Sequence, residues 1–386
     1  MKYWAINIRD NKIRWSRQYP NHPGIDEHIK CLEKEKYDAI ILFGNLEDGW
    51  DIDEYYDINK IYNASIKQNI KIYHIVGSNL TDYRFINDNI ETIRWPTYFF
   101  KETIGNNVLN SNKIIFDLNE LEYEHHFIFL NNKSRYHRIR LLDYITEFDL
   151  LKFSAYSWHD LTTVDASNAL REDFYKFNHY DGSIKILDTQ FEFKGPRSPL
   201  NKTRTNIGSG NAANPQEYRN QYLVPKEYYQ SFFQLIPEST TKNIFITEKT
   251  VIPLLIGKPF LVAGAPNYHK LLKDLGFELY DELFDYSFDG IENITERFTG
   301  ICENIKNITN LSLDECREFH SKIQDKITHN RNRAIEIAYD RNYVPELVKN
   351  ILDGYAGDPK EIDIRMARTD IDLQKTKDEQ LKYIKR

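Results

Sequence analysis

Short apolar runs of strand length alternate with helix-length amphipathic segments, in two separate series along this chain. That alternation restricts the fold more than any single residue does. Strands interleaved with helices build parallel sheets covered on both faces. In the first series the strand-like runs lie at 3–8, 39–43, 70–76 and 93–96. Helical patterns fall between them at 25–36, with Ile29 and Leu32 on the apolar face, and at 58–68. An Asn-rich stretch at 106–112 breaks the period. A second series then begins, with strands at 126–130, 231–236, 244–246 and 259–263. Its helices fall at 135–148, 247–256, 268–275, 291–305 and 313–342, and Gly257 is a helix stop. A chain of 386 residues is too long for one ordinary core. The expected division is 1–120, 121–355 and a charged tail at 356–386, with a long polar connection at 181–217 inside the second unit.

Charge and cysteine content narrow the partners. A net charge of −7 argues against a dedicated nucleic-acid binder, which needs a basic surplus to neutralise phosphates. The three cysteines, Cys31, Cys302 and Cys316, form no CxxC pair, as expected of a reducing compartment. The N-terminus lacks a signal-peptide apolar region, and no apolar run approaches the ~20 residues that span a bilayer. A cytoplasmic protein is expected. The abundance of Asn, Ile, Lys and Tyr suits an AT-rich genome, such as that of a virus or phage.

The segment from Phe245 to Ala263 carries the sharpest chemistry. Thr247 can cap a helix, which puts Glu248 and Lys249 in its first turn at the mouth of a strand-turn-helix unit. The helix dipole favours Glu248 there, so helix stabilisation alone explains it. The same dipole disfavours Lys249. A cation at that position is explained by an anion lying between it and the helix end, or by an ordinary surface lysine. Glu238-Ser239-Thr240, directly after a strand, reads either as a contact to the base or ribose of a nucleotide or as a turn.

Phe245-Ile246-Thr247-Glu248-Lys249, followed by an apolar helix, Gly257-Lys258-Pro259 and a strand, resembles the donor-binding signature of the α1,3-fucosyltransferase group and its viral and bacterial relatives. The stretches at 127–132 and 272–277 resemble the same group, and the likeness covers about residues 125–350. The resemblance implies an α/β fold of GT-B type, with two Rossmann-like domains facing across a cleft. The first domain would hold the acceptor and the second the nucleotide sugar. It implies that Glu248 meets the ribose hydroxyls and Lys249 the diphosphate, with Phe245, Thr247 and Glu238 in the same donor site. The family often has Tyr where Phe245 stands, so a hydroxyl contact there is absent. An arginine early in the helix after 126–130 would meet the phosphates, Arg138 first and Arg135 in reserve. Arginine suits that role because its planar fork gives paired hydrogen bonds to phosphate oxygens.

The implied activity is transfer of a sugar from a nucleoside-diphosphate sugar to an acceptor hydroxyl, inverting and without a metal or other cofactor. Such a reaction needs a base. Asp48, then Glu47 and Asp82, are the candidates, because they sit in loops after strands of the first series. Taken singly, each fits a plain loop carboxylate better than a base. The acceptor is expected to be a glycan. A hydroxymethylated base in phage DNA is the alternative, with Lys194, Arg197, Lys202 and Arg204 along the backbone. A non-catalytic sugar-binding protein of the same shape is a further alternative. Asp51 and Asp53 do not make a metal cage by themselves, and His125 and His126 point to opposite faces of a strand.

Overall fold

The computed structural model describes residues 3–7, 29–30, 33–34, 36–43, 56–77, 89–101, 103–104, 122–131, 136–157, 226–241 and 243–354. Glu47, Asp48, Asp82, Arg135, Cys31, the polar connection and the charged tail lie outside the described residues. Two four-stranded parallel sheets organise the chain. The first contains β1 (Tyr3–Asn7), β2 (Ala39–Phe43), β3 (Lys71–Val76) and β4 (Ile90–Arg94), side by side in sequence order. Helix α1 (Tyr56–Gln68) joins β2 to β3. β4 lies earlier than the expected 93–96, because Pro96 lacks the amide a ladder requires. A short helix, α2 (Tyr98–Phe100), follows.

The second sheet contains β5 (His125–Leu130), β6 (Ser154–Ser157), β7 (Ser231–Pro237) and β8 (Phe260–Ala263). Its spatial order is β6-β5-β7-β8. Helix α3 (Tyr136–Glu147) follows β5, α4 (Lys226–Tyr229) precedes β7, α5 (Glu248–Ile256) joins β7 to β8, and α6 (Tyr268–Asp274) follows β8. The chain then runs through α7 (Ile294–Thr309), α8 (Leu313–Lys322), α9 (Gln324–Tyr339) and α10 (Glu346–Gly354). All seven residues of β7 are buried, as a central parallel strand covered on both faces requires. α7 packs on α3, and α5 packs on α9.

The orders differ in a way that matters for ligands. The four described strands of the first sheet never reverse direction of winding. In the second sheet the chain steps from β5 to β6 on one side, then returns past β5 to β7 on the other. The carboxyl ends of β5 and β7 therefore form a topological switch point, where ligands of open α/β sheets bind.

The single helix expected at 313–342 is broken at Ile323 (φ −100°, ψ 15°), which turns Ile323 and Ile327 into the core. Ser312 and Glu315 form a reciprocal capping box at the start of α8. The two halves of the chain also exchange side chains. Phe100 and Ile104 bury in the second core, where Phe100 stacks on Phe277. Val344 and Val348, from the far end of the chain, bury beside Ala39, Ile75, Ile93 and Trp95. Phe245 joins that group, edge-on to Phe99 at 5.2 Å.

Candidate functional site

Four polar groups converge on the carboxylate of Glu238, the residue that follows β7. Its side chain is almost fully buried, with 1% of the residue exposed. Oε1 accepts from Tyr268 Oη (2.9 Å), Thr250 Oγ1 (3.1 Å) and Thr247 Oγ1 (3.2 Å). Oε2 accepts from Thr247 Oγ1 (3.0 Å) and the Ser239 amide (3.0 Å). Burial, and then the Glu238 charge, hold the Tyr268 hydroxyl well above its ordinary pKa, so it stays protonated and donates. The carboxylate is thus engaged by protein donors. It fixes the loop and the helix start rather than facing outward.

The Glu238 carbonyl oxygen is engaged as well. It accepts from Arg138 Nε (3.3 Å), Arg138 Nη2 (3.0 Å) and His137 Nε2 (2.8 Å). A carbonyl only accepts, so Nε2 of His137 carries its proton. Arg138 lies in the first turn of α3 with 4% of its surface exposed. The structure thus brings Arg138 to the switch point, with two of its nitrogens on the main chain.

Thr247 is the N-cap of α5, and its hydroxyl accepts from the Lys249 amide at 3.2 Å. Lys249 Nζ reaches Thr247 Oγ1 (3.3 Å), Ser239 Oγ (3.4 Å) and Glu248 Oε1 (3.3 Å). All three distances are long for bonds to a cation, which settle near 2.7–2.9 Å. The side chains of Lys249 and Glu248 are 23% and 36% exposed, so both remain within reach of a ligand. A helix N-terminus and a loosely held ammonium at one point are both favourable to an anion. Phe245, by contrast, is a packing residue on Phe99, with its ring out of solvent.

Thr250, Tyr268, His137 and Gly264 were not singled out by sequence. Thr250 stands one helical turn from Thr247, on the same face, and that spacing was the available signal. Gly264 ends β8. A Cβ there would lie 3.0 Å from the Tyr268 ring and 3.6 Å from Glu238 Cβ, so its bareness lets Tyr268 approach.

A second acid–histidine pair, His269 and Asp289, is structural. Nδ1 of His269 meets Asp289 Oδ1 at 2.7 Å, and Nε2 accepts from the Val262 amide at 3.1 Å. Both ring nitrogens are occupied. Burial alone would raise the Asp289 carboxyl, but the hydrogen bonds from His269 and the Lys270 amide oppose it, and the carboxyl is held below its ordinary value.

Among the described residues no group of three or more His, Cys, Asp or Glu could hold a metal ion. None of the described helices is long and apolar enough to cross a membrane. Comparison with protein-family models, curated proteins and solved structures yields no match to this chain.

Proposed function

We propose that the chain is a glycosyltransferase of GT-B type that moves a sugar from a nucleoside-diphosphate sugar to an acceptor hydroxyl, by inversion, without a metal, in the cytoplasm. The observation that carries this reading is the ammonium of Lys249, held loosely by two hydroxyls and a carboxylate at the N-terminus of α5, at the switch point of the second sheet. A diphosphate oxygen at normal distance replaces those long contacts with a shorter charged bond. The amides of the first turn of α5 add donors aimed the same way. As the sugar leaves, negative charge grows on the diphosphate, and these fixed positive groups stabilise it. Glu248 takes the ribose hydroxyls. Arg138 and Glu238 hold the geometry of the loop between them, and Arg138 extends the positive field toward the phosphates. The first sheet carries the acceptor, and Asp48, Glu47 or Asp82 supplies the base.

The test is a thermal-shift screen of the full chain against GDP-, UDP- and other nucleotide sugars, followed by titration of the best ligand. A ligand that binds only the folded state raises the melting temperature. Lys249→Ala is expected to weaken that ligand about 10- to 100-fold, the worth of a charged hydrogen bond to phosphate. Binding that is unchanged in Lys249→Ala removes Lys249 from the site. Absence of a shift with every nucleotide sugar overturns the reading.

A further inference from the structure

We infer that Asn131 is a recognition residue of this same site and takes a sugar hydroxyl of the ligand through its side-chain amide. The inference rests on the glycosyltransferase reading. Asn131 directly follows β5, and 3% of it is exposed. Both Oδ1 and Nδ2 are buried, and neither has a hydrogen-bond partner among the described residues. Leaving such groups unsatisfied costs about 1–3 kcal/mol each, so a buried amide with both atoms orphaned calls for a partner, a ligand or an ordered water. The register pairs Phe129 with Leu235. Two residues further along these parallel strands, Asn131 comes beside Pro237, one residue from Glu238. Asn131 therefore lies at the switch point, at the strand ends where Arg138, Thr247 and Lys249 gather around Glu238.

Its chemistry differs from theirs. Lys249 and the α5 amides suit an anion. The Asn131 amide is neutral and offers a donor and an acceptor side by side. A phosphate oxygen only accepts, and would leave Oδ1 unsatisfied. A hydroxyl gives one bond and takes another, so it matches both atoms. The hydroxyl belongs to the ribose or to the transferred sugar, the two sugars flanking a diphosphate.

The experiment compares the full-length protein with Asn131→Leu and Lys249→Ala, titrated with inorganic pyrophosphate, GDP, UDP and their hexose conjugates. Leu has nearly the shape of Asn without its polar atoms. Asn131→Leu is expected to melt at or above the parent temperature without ligand and to bind pyrophosphate within about twofold of it. It is expected to bind hydroxyl-bearing ligands about tenfold more weakly. Weakening that begins with GDP or UDP assigns the ribose. Weakening confined to the hexose conjugates assigns the transferred sugar. Unchanged affinity for every probe overturns the assignment, whether the melting temperature falls, as for an amide holding internal water, or not. Loss of binding in Lys249→Ala alone removes Asn131 and keeps the donor site. Parent protein that binds none of the probes overturns both readings. If the leucine variant does not fold, Asn131→Ala carries the same comparison.

Discussion

Lys258 sends its ammonium into the interior at the start of β8, where it donates to the Ser231 carbonyl and lies 5.2 Å from the Tyr228 ring centre. Burial lowers its pKa from 10.5 to about 7. The unfolded chain keeps that proton up to about pH 10.5, whereas the folded chain sheds it near pH 7. Between those values the unfolded state binds more protons, so stability rises with pH. At and below pH 7 the full burial penalty is present. Lys258→Met is expected to stabilise the protein by about 3 kcal/mol at pH 7, after the lost hydrogen bond and ring contact are set against the relieved burial. The gain shrinks toward pH 10. Urea melts of both proteins at pH 7 and pH 10 read the difference, and an equal gain at both values contradicts a buried charge. Glu238 shows the opposite solution at the same scale. There a buried acid is surrounded by hydroxyls and an amide, and the result is a fixed helix start.

α5 is set at both ends by local chemistry. Thr247 caps its first turn, and Gly257 ends it in the left-handed region at φ +82°. Arg331 donates to the last carbonyls, with Nε on Leu255 at 2.7 Å and Nη2 on Ile256 at 3.3 Å. Glycine is required at 257 twice over. The backbone angle disfavours any Cβ, and a Cβ would lie 2.5 Å from Ile327 Cγ2 in α9. Gly257→Ala is therefore expected to cost roughly 2–4 kcal/mol, combining the left-handed penalty with overpacking. Denaturant titration measures it. A loss below 1 kcal/mol (roughly the backbone term alone) means that α9 yields without cost. Since α5 carries Lys249, a shift of its C-terminal end is expected to weaken ligand binding too.

Across the whole molecule, the chain crosses between its two sheets more than once. Phe100 and Ile104 precede the expected boundary at 120 yet bury in the second core, while Val344 and Val348 bury with the first sheet. Thr97 Oγ1 also donates to the Tyr343 carbonyl at 2.9 Å. A fragment spanning 121–355 lacks two fully buried side chains, each worth about 1.5–3 kcal/mol. A fragment spanning 97–355 keeps them and is expected to melt higher. Equal melting temperatures for the two fragments contradict the exchange.

Much of the second sheet was legible because its signals are local. β8 is a continuous apolar run, β5 and β7 are built on apolar runs after His126 and Ser231 that only Gln234 interrupts, and Thr247 and Gly257 bracket α5 with cap residues whose preference is set within one turn. β6 was not legible, since Ser-Ala-Tyr-Ser has no apolar run and becomes a strand only by pairing with β5. Nor was α10, which is held by burying Val348 beside residues some 250–310 positions earlier in the chain. The candidate site divides in the same way. Sequence alone determined that Thr247, Glu248 and Lys249 stand at a helix start, because capping needs only neighbours. Tertiary structure decided that Glu238 bonds Thr247, that Arg138 bonds the Glu238 carbonyl, that Asn131 ends β5 beside β7, and that Phe245 is packing. Those outcomes depend on strand order and register, which bring β5 beside β7, and no local preference encodes that adjacency.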